Sequence, residues 1–472
     1  MFGVRSLSVR YSLPFLTVLA AGTFACSATD TPGGGSAGAP PSGSSGKPGV
    51  GGASNAAGGR LDGAGGGASG AVNSAAGTAN GGTNSAGTSA AGAGVGPGGS
   101  SPGGAGPVGG GTAAGGASGA IGASGASGGS NDPVDAKALV KALGVGTNIG
   151  NTLENTVTWE TGWGQPLITQ AFINGLASHG IKTVRVPVAW DFYATNGVID
   201  PAKMDRVKQV VSWITGAGMY AIVNIHWDGG WINNEKGSPP FSLTPEIKTK
   251  FANYWKQIGT AFSGVDHKLI LEGMNEEGSW TTDGQKYGTP NIPPLNEMNQ
   301  LFVTTARAQG GFNATRALLI AGFNTDIDKT CVPAFTVPTD PAGAGKLFLS
   351  IHYYTPWTFT IKEQNDGAND TQPVSTTWGT AAEKKALEDA FNKLASCSTD
   401  KKVPIILGEF GVTKGTAPYV RDSASRAAWM TAVATASKAR AIVPVLWDTG
   451  SEISRTDGSF SAEFQQAFNA VK

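Results

Sequence analysis

Reactive side chains are scarce in this 472-residue chain, which holds 3 cysteines, 4 histidines and only 14% charged residues, 34 basic against 34 acidic. No His/Cys cluster has metal-ligand spacing, so neither a metal nor a cofactor is expected. A neutral chain without a basic stripe gives no reason to expect a nucleic-acid partner. No long apolar segment follows the first 26 residues, so the remainder is expected to be soluble. Two other chemistries lack support. "GVGTNIG" at 144–150 has the wrong glycine spacing for a dinucleotide fingerprint, and "GGSAG" at 34–38 matches a serine-hydrolase pattern only inside a low-complexity tract.

Glycine, by contrast, is plentiful and unevenly spread, with 71 in all. From Thr31 to Ser130 the only charges are Lys47, Arg60 and Asp62, and nearly everything else is Gly, Ala, Ser, Thr, Pro or Asn. Such a segment has too little large apolar surface to offset the entropy of ordering it, so residues 27–131 are expected to form a flexible linker. Ahead of it, residues 1–26 combine arginines at 5 and 10 with a short apolar run and small residues, the pattern of a secretory signal. Its end reads two ways. Thr23-Phe24-Ala25 fits ordinary cleavage, while Cys26 resembles the lipid-bearing cysteine of a bacterial lipoprotein, although Thr23 stands where a large aliphatic residue is usual. The expected location is extracellular or at the cell surface. Cys331 and Cys397 can pair in an exported chain or remain separate thiols, and spacing does not decide between them.

Residues 132–472 have the composition of one globular domain, expected to act as a monomer, and all 12 tryptophans fall here, from Trp159 onward. Eight short apolar runs, at 145–150, 183–188, 220–226, 269–273, 317–322, 347–354, 403–410 and 442–448, alternate with helix-like stretches such as "MDRVKQVVSWITGAG" and "AAEKKALEDAFNKLA". Strict alternation implies a parallel sheet, and eight repeats imply a closed (β/α)8 TIM barrel whose C-terminal strand ends form the active-site face.

Nearly every run ends in a polar or aromatic group: Asn148, Arg185, His226, Asn275 with Glu276, Asn324, His352 with Tyr354, Glu409 and Trp447. Any one of these could close a barrel structurally. Together they would meet on one rim. Glu276 after the fourth run and Glu409 after the seventh would face each other across it. Glycosidic-bond hydrolysis needs such a pair, one carboxylic acid to protonate the leaving oxygen and one carboxylate at the anomeric carbon.

The motifs at these ends are specific. "GTNIGNTLE", "VRVPVAW", "EGMNEE", "HYYTPW", "ILGEFG" and "VLWDTG" occur in the order and spacing of glycoside hydrolase family 5, which residues 140–450 resemble. The wording is similar to the subfamily acting on cellulose, mixed-linkage glucan and xyloglucan. By that resemblance the chain is an endo-β-1,4-glucanase acting with retention, with xyloglucanase or β-mannanase as alternatives on the same machinery. A surface glycan-binding protein without catalysis is the alternative from another class. The resemblance makes Glu276 the acid/base and Glu409 the nucleophile. It makes Arg185 and Tyr354 partners of the nucleophile, Asn275 the holder of the sugar 2-hydroxyl, and His226 and His352 sugar or acid contacts. Trp447 becomes a stacking floor. Two positions depart from the family pattern. Trp227 stands where a second histidine is frequent, and Glu277 replaces proline, placing a like charge that should raise the pKa of Glu276. His179 and His267 are expected at the surface, and Trp163, Trp231, Trp280 and Trp357 either line a cleft or only pack.

Overall fold

The computed structural model describes residues 135–472 apart from 287, 368 and 369. The leader expected at 1–26, the linker expected at 27–131 and Cys26 lie outside the described residues. Eight parallel strands close into a barrel, β1 (Gly146–Asn148), β2 (Thr183–Val186), β3 (Tyr220–Asn224), β4 (Leu269–Glu272), β5 (Leu318–Ala321), β6 (Leu347–Tyr353), β7 (Ile405–Phe410) and β8 (Val443–Leu446). They follow the chain around the barrel, and β8 pairs back with β1. The expected barrel is the fold. Asn148, Arg185, His352 and Glu409 lie within the last residues of their strands, whereas His226, Asn275, Glu276, Asn324, Tyr354 and Trp447 follow theirs.

Helices cover the outside. Pro201–Gly216 opens on an Asp200 cap with proline in its first turn, and Ala381–Lys401 opens on a capping box between Thr380 and Glu383. Their apolar faces, Val207, Val210 and Ile214 on one and Leu387, Phe391 and Leu394 on the other, are buried in the large core cluster. Cys331 and Cys397 are joined, with their Cα atoms 5.5 Å apart, so the segment after β5 is tied to the second of these helices. A small antiparallel hairpin, Ala194–Thr195 with Val198–Ile199, lies in the loop after β2 and was not legible from periodicity.

The barrel interior has two layers. Ile222, Ile270, Leu319, Phe348, Ile406 and Val445 form a separate apolar cluster, against which helix Ala136–Leu143 packs. Side chains two apart on a strand share a face. Two residues further along β3, β4, β6 and β7 stand Asn224, Glu272, Ser350 and Gly408. The lower layer is therefore apolar, while the upper one carries Asn224, Glu272 and Ser350, and the site grows from the upper layer.

Candidate active site

A bulge aims Glu409. Along β6 and β7 the register shifts, so that Ile351 pairs with Leu407 but His352 pairs with Glu409. Regular alternation would put Glu409 on the same outward face as Leu407; the extra residue turns it inward. That residue is Gly408, and a Cβ there would lie 3.0 Å from His352 Nε2 and 3.1 Å from Ser350 Oγ. Asn148 secures the bulge, its amide donating to the carbonyls of Gly408 at 2.9 Å and Leu446 at 3.1 Å.

Arg185 ties the walls together. Its Nε donates to Glu272 at 2.6 Å, one terminal nitrogen donates to Asn148 Oδ1 at 3.0 Å and Glu409 Oε1 at 2.8 Å, and the other donates to Asn275 Oδ1 at 2.8 Å. Tyr354 donates its hydroxyl to Glu409 Oε2 at 2.9 Å. Both oxygens of Glu409 are thus held by donors. Glu276 is held differently. One oxygen lies 2.7 Å from His352 Nδ1, and its side chain is 17% exposed against 5% for Glu409. Asn324 supports the turn beneath, its amide donating to the Glu276 carbonyl at 3.2 Å.

Electrostatics separate the two carboxyls. Burial raises Glu276 well above the usual carboxylate range, and the neighbouring Glu409 charge pushes it further. Glu409 is also raised by burial, but Arg185 and Tyr354 pull it back, so Glu409 is the first of the two to ionise. His352 and His226 are both lowered well below their ordinary value by burial and the Arg185 charge. A neutral His352 therefore orients Glu276 without supplying a countercharge. Tyr354 is raised by burial and the two carboxylates, so it remains a donor.

All eight residues singled out from the sequence are accounted for. Arg185, Glu409, Tyr354 and Asn275 form one hydrogen-bonded cluster, and the bonded pair of His352 and Glu276 lies beside it, His352 Nδ1 being 3.6 Å from Glu409. His226 and Trp447 form a second pair, their rings stacked at 5.6 Å with a 5° interplanar angle. Sequence reading missed Glu272, hidden inside an apolar strand. It also missed Asp228, which clamps the loop after β2 by accepting from the backbone of Asp191 and Phe192.

Three expectations can be followed further here, and one of them, that His267 lies at the surface, needs correction. Glu277 does push Glu276 upward, but less than burial and Glu409 do. Burial, Glu235 and Asp228 raise Glu277 itself to about 8, so it is mostly uncharged at neutral pH and its like charge acts only toward alkaline pH. Of the loop tryptophans, Trp280 is wholly buried and belongs to the core, whereas Trp163, Trp231 and Trp357 are half-buried. His267 is half-buried, 2.9 Å from Thr315 Oγ1 and edge-on to Phe312, rather than a surface group; His179 is exposed as expected.

Donor atoms of Glu276, His352 and Glu409 all lie within 4.8 Å of one another, close enough to hold a metal ion. Their chemistry argues otherwise. Arg185 already neutralises Glu409, and His352 already bonds Glu276. What the cluster can do is hold one carboxyl protonated beside another that is ionised.

The family model for cellulase (glycosyl hydrolase family 5) matches residues 144–452. The chain belongs to glycosyl hydrolase family 5 and is a glycoside hydrolase. Endoglucanase A of Paenibacillus barcinonensis is 34% identical over 343 residues, covering 67% of this chain and 82% of that protein. A xyloglucan-specific endo-β-1,4-glucanase of Bacteroides ovatus is 32% identical, covering 66% of this chain and 64% of that protein. Among solved structures, a broad-specificity endoglucanase of an uncultured bovine rumen ciliate superposes with a TM-score of 0.62 at 31% identity, over 72% of this chain and 98% of that one. A family 5 xyloglucanase of Paenibacillus pabuli gives 0.60 at 32% identity, over 71% of this chain and 98% of that one.

Proposed function

We propose that this chain is an endo-β-1,4-glucanase that hydrolyses internal bonds of β-glucan polysaccharides with retention of configuration. The observation that carries the mechanism is the separation of the carboxyls. One oxygen of Glu276 and one of Glu409 lie within 4.8 Å of each other, a close approach that fits the roughly 5–5.5 Å separation of retaining carboxyl pairs better than the wider gap of inverting ones.

The environments assign the roles. Glu276, the later to ionise, donates its proton to the glycosidic oxygen as the bond to the anomeric carbon breaks. Glu409 attacks that carbon from the opposite face and forms a glycosyl ester. Glu276, now a carboxylate, takes a proton from water as the water displaces Glu409. Asn275 has its carbonyl oxygen committed to Arg185, which leaves its amide hydrogens for the sugar 2-hydroxyl. Trp447, backed by His226, offers an aromatic face to a pyranose ring.

A second reading, xyloglucanase, is favoured by two of the relatives, whose names specify xyloglucan. Export through the leader at 1–26, with surface tethering through Cys26 and the 27–131 linker, completes the proposal for a monomeric enzyme. Reducing-sugar release from carboxymethylcellulose, barley β-glucan, xyloglucan and mannan tests it. Fastest cleavage of an unbranched glucan is expected. Faster cleavage of xyloglucan or mannan would change the substrate, and no cleavage of any would leave only a glycan-binding protein.

A further inference from the structure

Glu272 is a buried charge that the mechanism above does not use. It lies within β4, fully inaccessible, so no substrate atom reaches it. Its two oxygens have one donor each: Oε2 accepts from Arg185 Nε at 2.6 Å and Oε1 from the Ser350 hydroxyl at 2.8 Å. Burying a carboxylate is costly unless it is paired and hydrogen-bonded, and β5 and β7 fill the equivalent upper-layer positions with Ala321 and Gly408. Barrel closure alone does not ask for an acid there.

We propose that Glu272 is a positioning residue for the reaction: it fixes the Nε edge of Arg185, thereby aiming one terminal nitrogen at Glu409 and the other at Asn275, and it shares the arginine charge so that Glu409 remains a strong nucleophile. The inference rests on the reading of Glu409 as the attacking group.

Geometry requires an anchor of this kind. A guanidinium is a planar fork, and a lone carboxylate in front of it tends to take two parallel bonds. With Nε committed to Glu272, Glu409 receives one bond only, and the far nitrogen stays on Asn275. Charge sharing follows from the same contact. Arg185 faces two carboxylates, and an arginine paired with Glu409 alone would stabilise its anion more strongly and blunt its attack. The titratable groups around the Arg185 and Glu409 pair are His226 just past β3, Glu272 from β4, Glu276 beyond its end, His352 from β6 and Tyr354 just past it. Burial and Arg185 keep both histidines neutral, and Tyr354 stays protonated. Glu276 holds its proton until after Glu409 has ionised, so Glu272 is the carboxylate that shares Arg185 with Glu409.

Glu272→Gln tests this in the full-length enzyme. The glutamine oxygen can still accept from Arg185, and its amide can donate to Ser350, so shape is kept while the charge is lost. With an activated aryl cellobioside, the acidic limb of kcat/KM should move down by about one pH unit, and formation of the glycosyl-enzyme should slow roughly tenfold. Glu272→Asp, which keeps the charge but shortens the reach, should slow the reaction and leave the limb near its wild-type position. A folded Glu272→Gln enzyme with the wild-type limb and rate would overturn the proposal. Where Glu272→Gln does not fold, Ser350→Ala decides. It leaves the carboxylate of Glu272 less shared, so the acidic limb should rise, and an unmoved limb would again overturn it. Trapping wild-type enzyme with a 2-fluoro aryl cellobioside keeps the two readings apart. No adduct on Glu409 would sink the nucleophile assignment, whereas an adduct on Glu409 with an unaltered Glu272→Gln enzyme would sink only the positioning role.

Discussion

The walls around Glu276 and Glu409, the two carboxyls proposed to act in catalysis, are built on opposite plans. On the β7 wall, Glu409 is turned inward by a bulge, held through both oxygens by Arg185 and Tyr354, and almost sealed from solvent. On the β4 wall, Glu276 stands on the turn after the strand, meets a neutral histidine and the Thr325 side chain, and retains some exposure. Both are glutamates at strand ends, and burial raises both. Their partners set them apart. Donors and a cation stabilise the anion of Glu409, while a neutral neighbour and a nearby negative charge favour the acid form of Glu276. The difference between the proposed nucleophile and the proposed acid lies in the surrounding side chains rather than in the residue type.

The largest way to break this contrast is to remove the acid. Glu276→Ala should lower kcat/KM on β-glucan by roughly 10²–10⁴-fold. It should lower formation of the glycosyl-enzyme from an aryl glycoside with a good leaving group far less, because that departure needs little protonation. Steady-state and burst kinetics on both substrates check it, and equal losses would show that Glu276 does not protonate the leaving oxygen.

A smaller change sharpens the contrast from the other side. Tyr354→Phe removes one of the two donors on Glu409. The loss of a hydrogen bond to a charged group should cost roughly tenfold in kcat/KM. The acidic limb of the profile should move to higher pH, since the anion of Glu409 is less stabilised. An unshifted limb would mean that Tyr354 does not act on Glu409.

The smallest effect concerns Glu277, the family-atypical acid beside Glu276. Its folded-state pKa of about 8 lies above the ordinary carboxylate value, so it contributes stability that is present in full at acidic pH and lost as pH rises through about 8. Glu277→Gln should therefore flatten the decline of Tm between mildly acidic and alkaline pH. It should also move the alkaline limb of the rate profile slightly downward, because Glu276 loses a like charge that appears only there. Thermal melts across pH and kcat/KM profiles of the two enzymes read both effects. An identical pH dependence would place Glu277 outside the electrostatics of the site.

Much of this was legible in the sequence. Parallel barrel strands are covered on both faces, so they appear as short apolar runs, and the polar residues that end them mark the rim. That is why Arg185, Asn275, Glu276, His352, Tyr354 and Glu409 could be grouped before any contact was visible. The upper interior layer was harder to see. Glu272 sits in "LILEG" and reads as an isolated charge in a strand, because its partners Arg185 and Ser350 come from strands far away in sequence. Two-residue periodicity holds the missing signal. Ile270 to Glu272 and Phe348 to Ser350 repeat the same apolar-to-polar step on one face. The bulge at Gly408 leaves no such trace, since one glycine in a strand does not announce a register shift. Trp280 was undecidable for another reason: an aromatic in a loop after a strand packs inward or faces a cleft according to what the loop folds over.

The most direct test of the two carboxyl roles is the configuration of products when azide replaces the missing group. With an activated aryl cellobioside and azide, Glu276→Ala should yield the β-glycosyl azide, since Glu409 still forms the ester and azide then displaces it. Glu409→Ala should yield the α-glycosyl azide, since azide takes the place of the carboxylate. Proton NMR of the two products distinguishes them at once. The reverse pairing, α from Glu276→Ala and β from Glu409→Ala, would contradict Glu276 as the acid/base and Glu409 as the nucleophile.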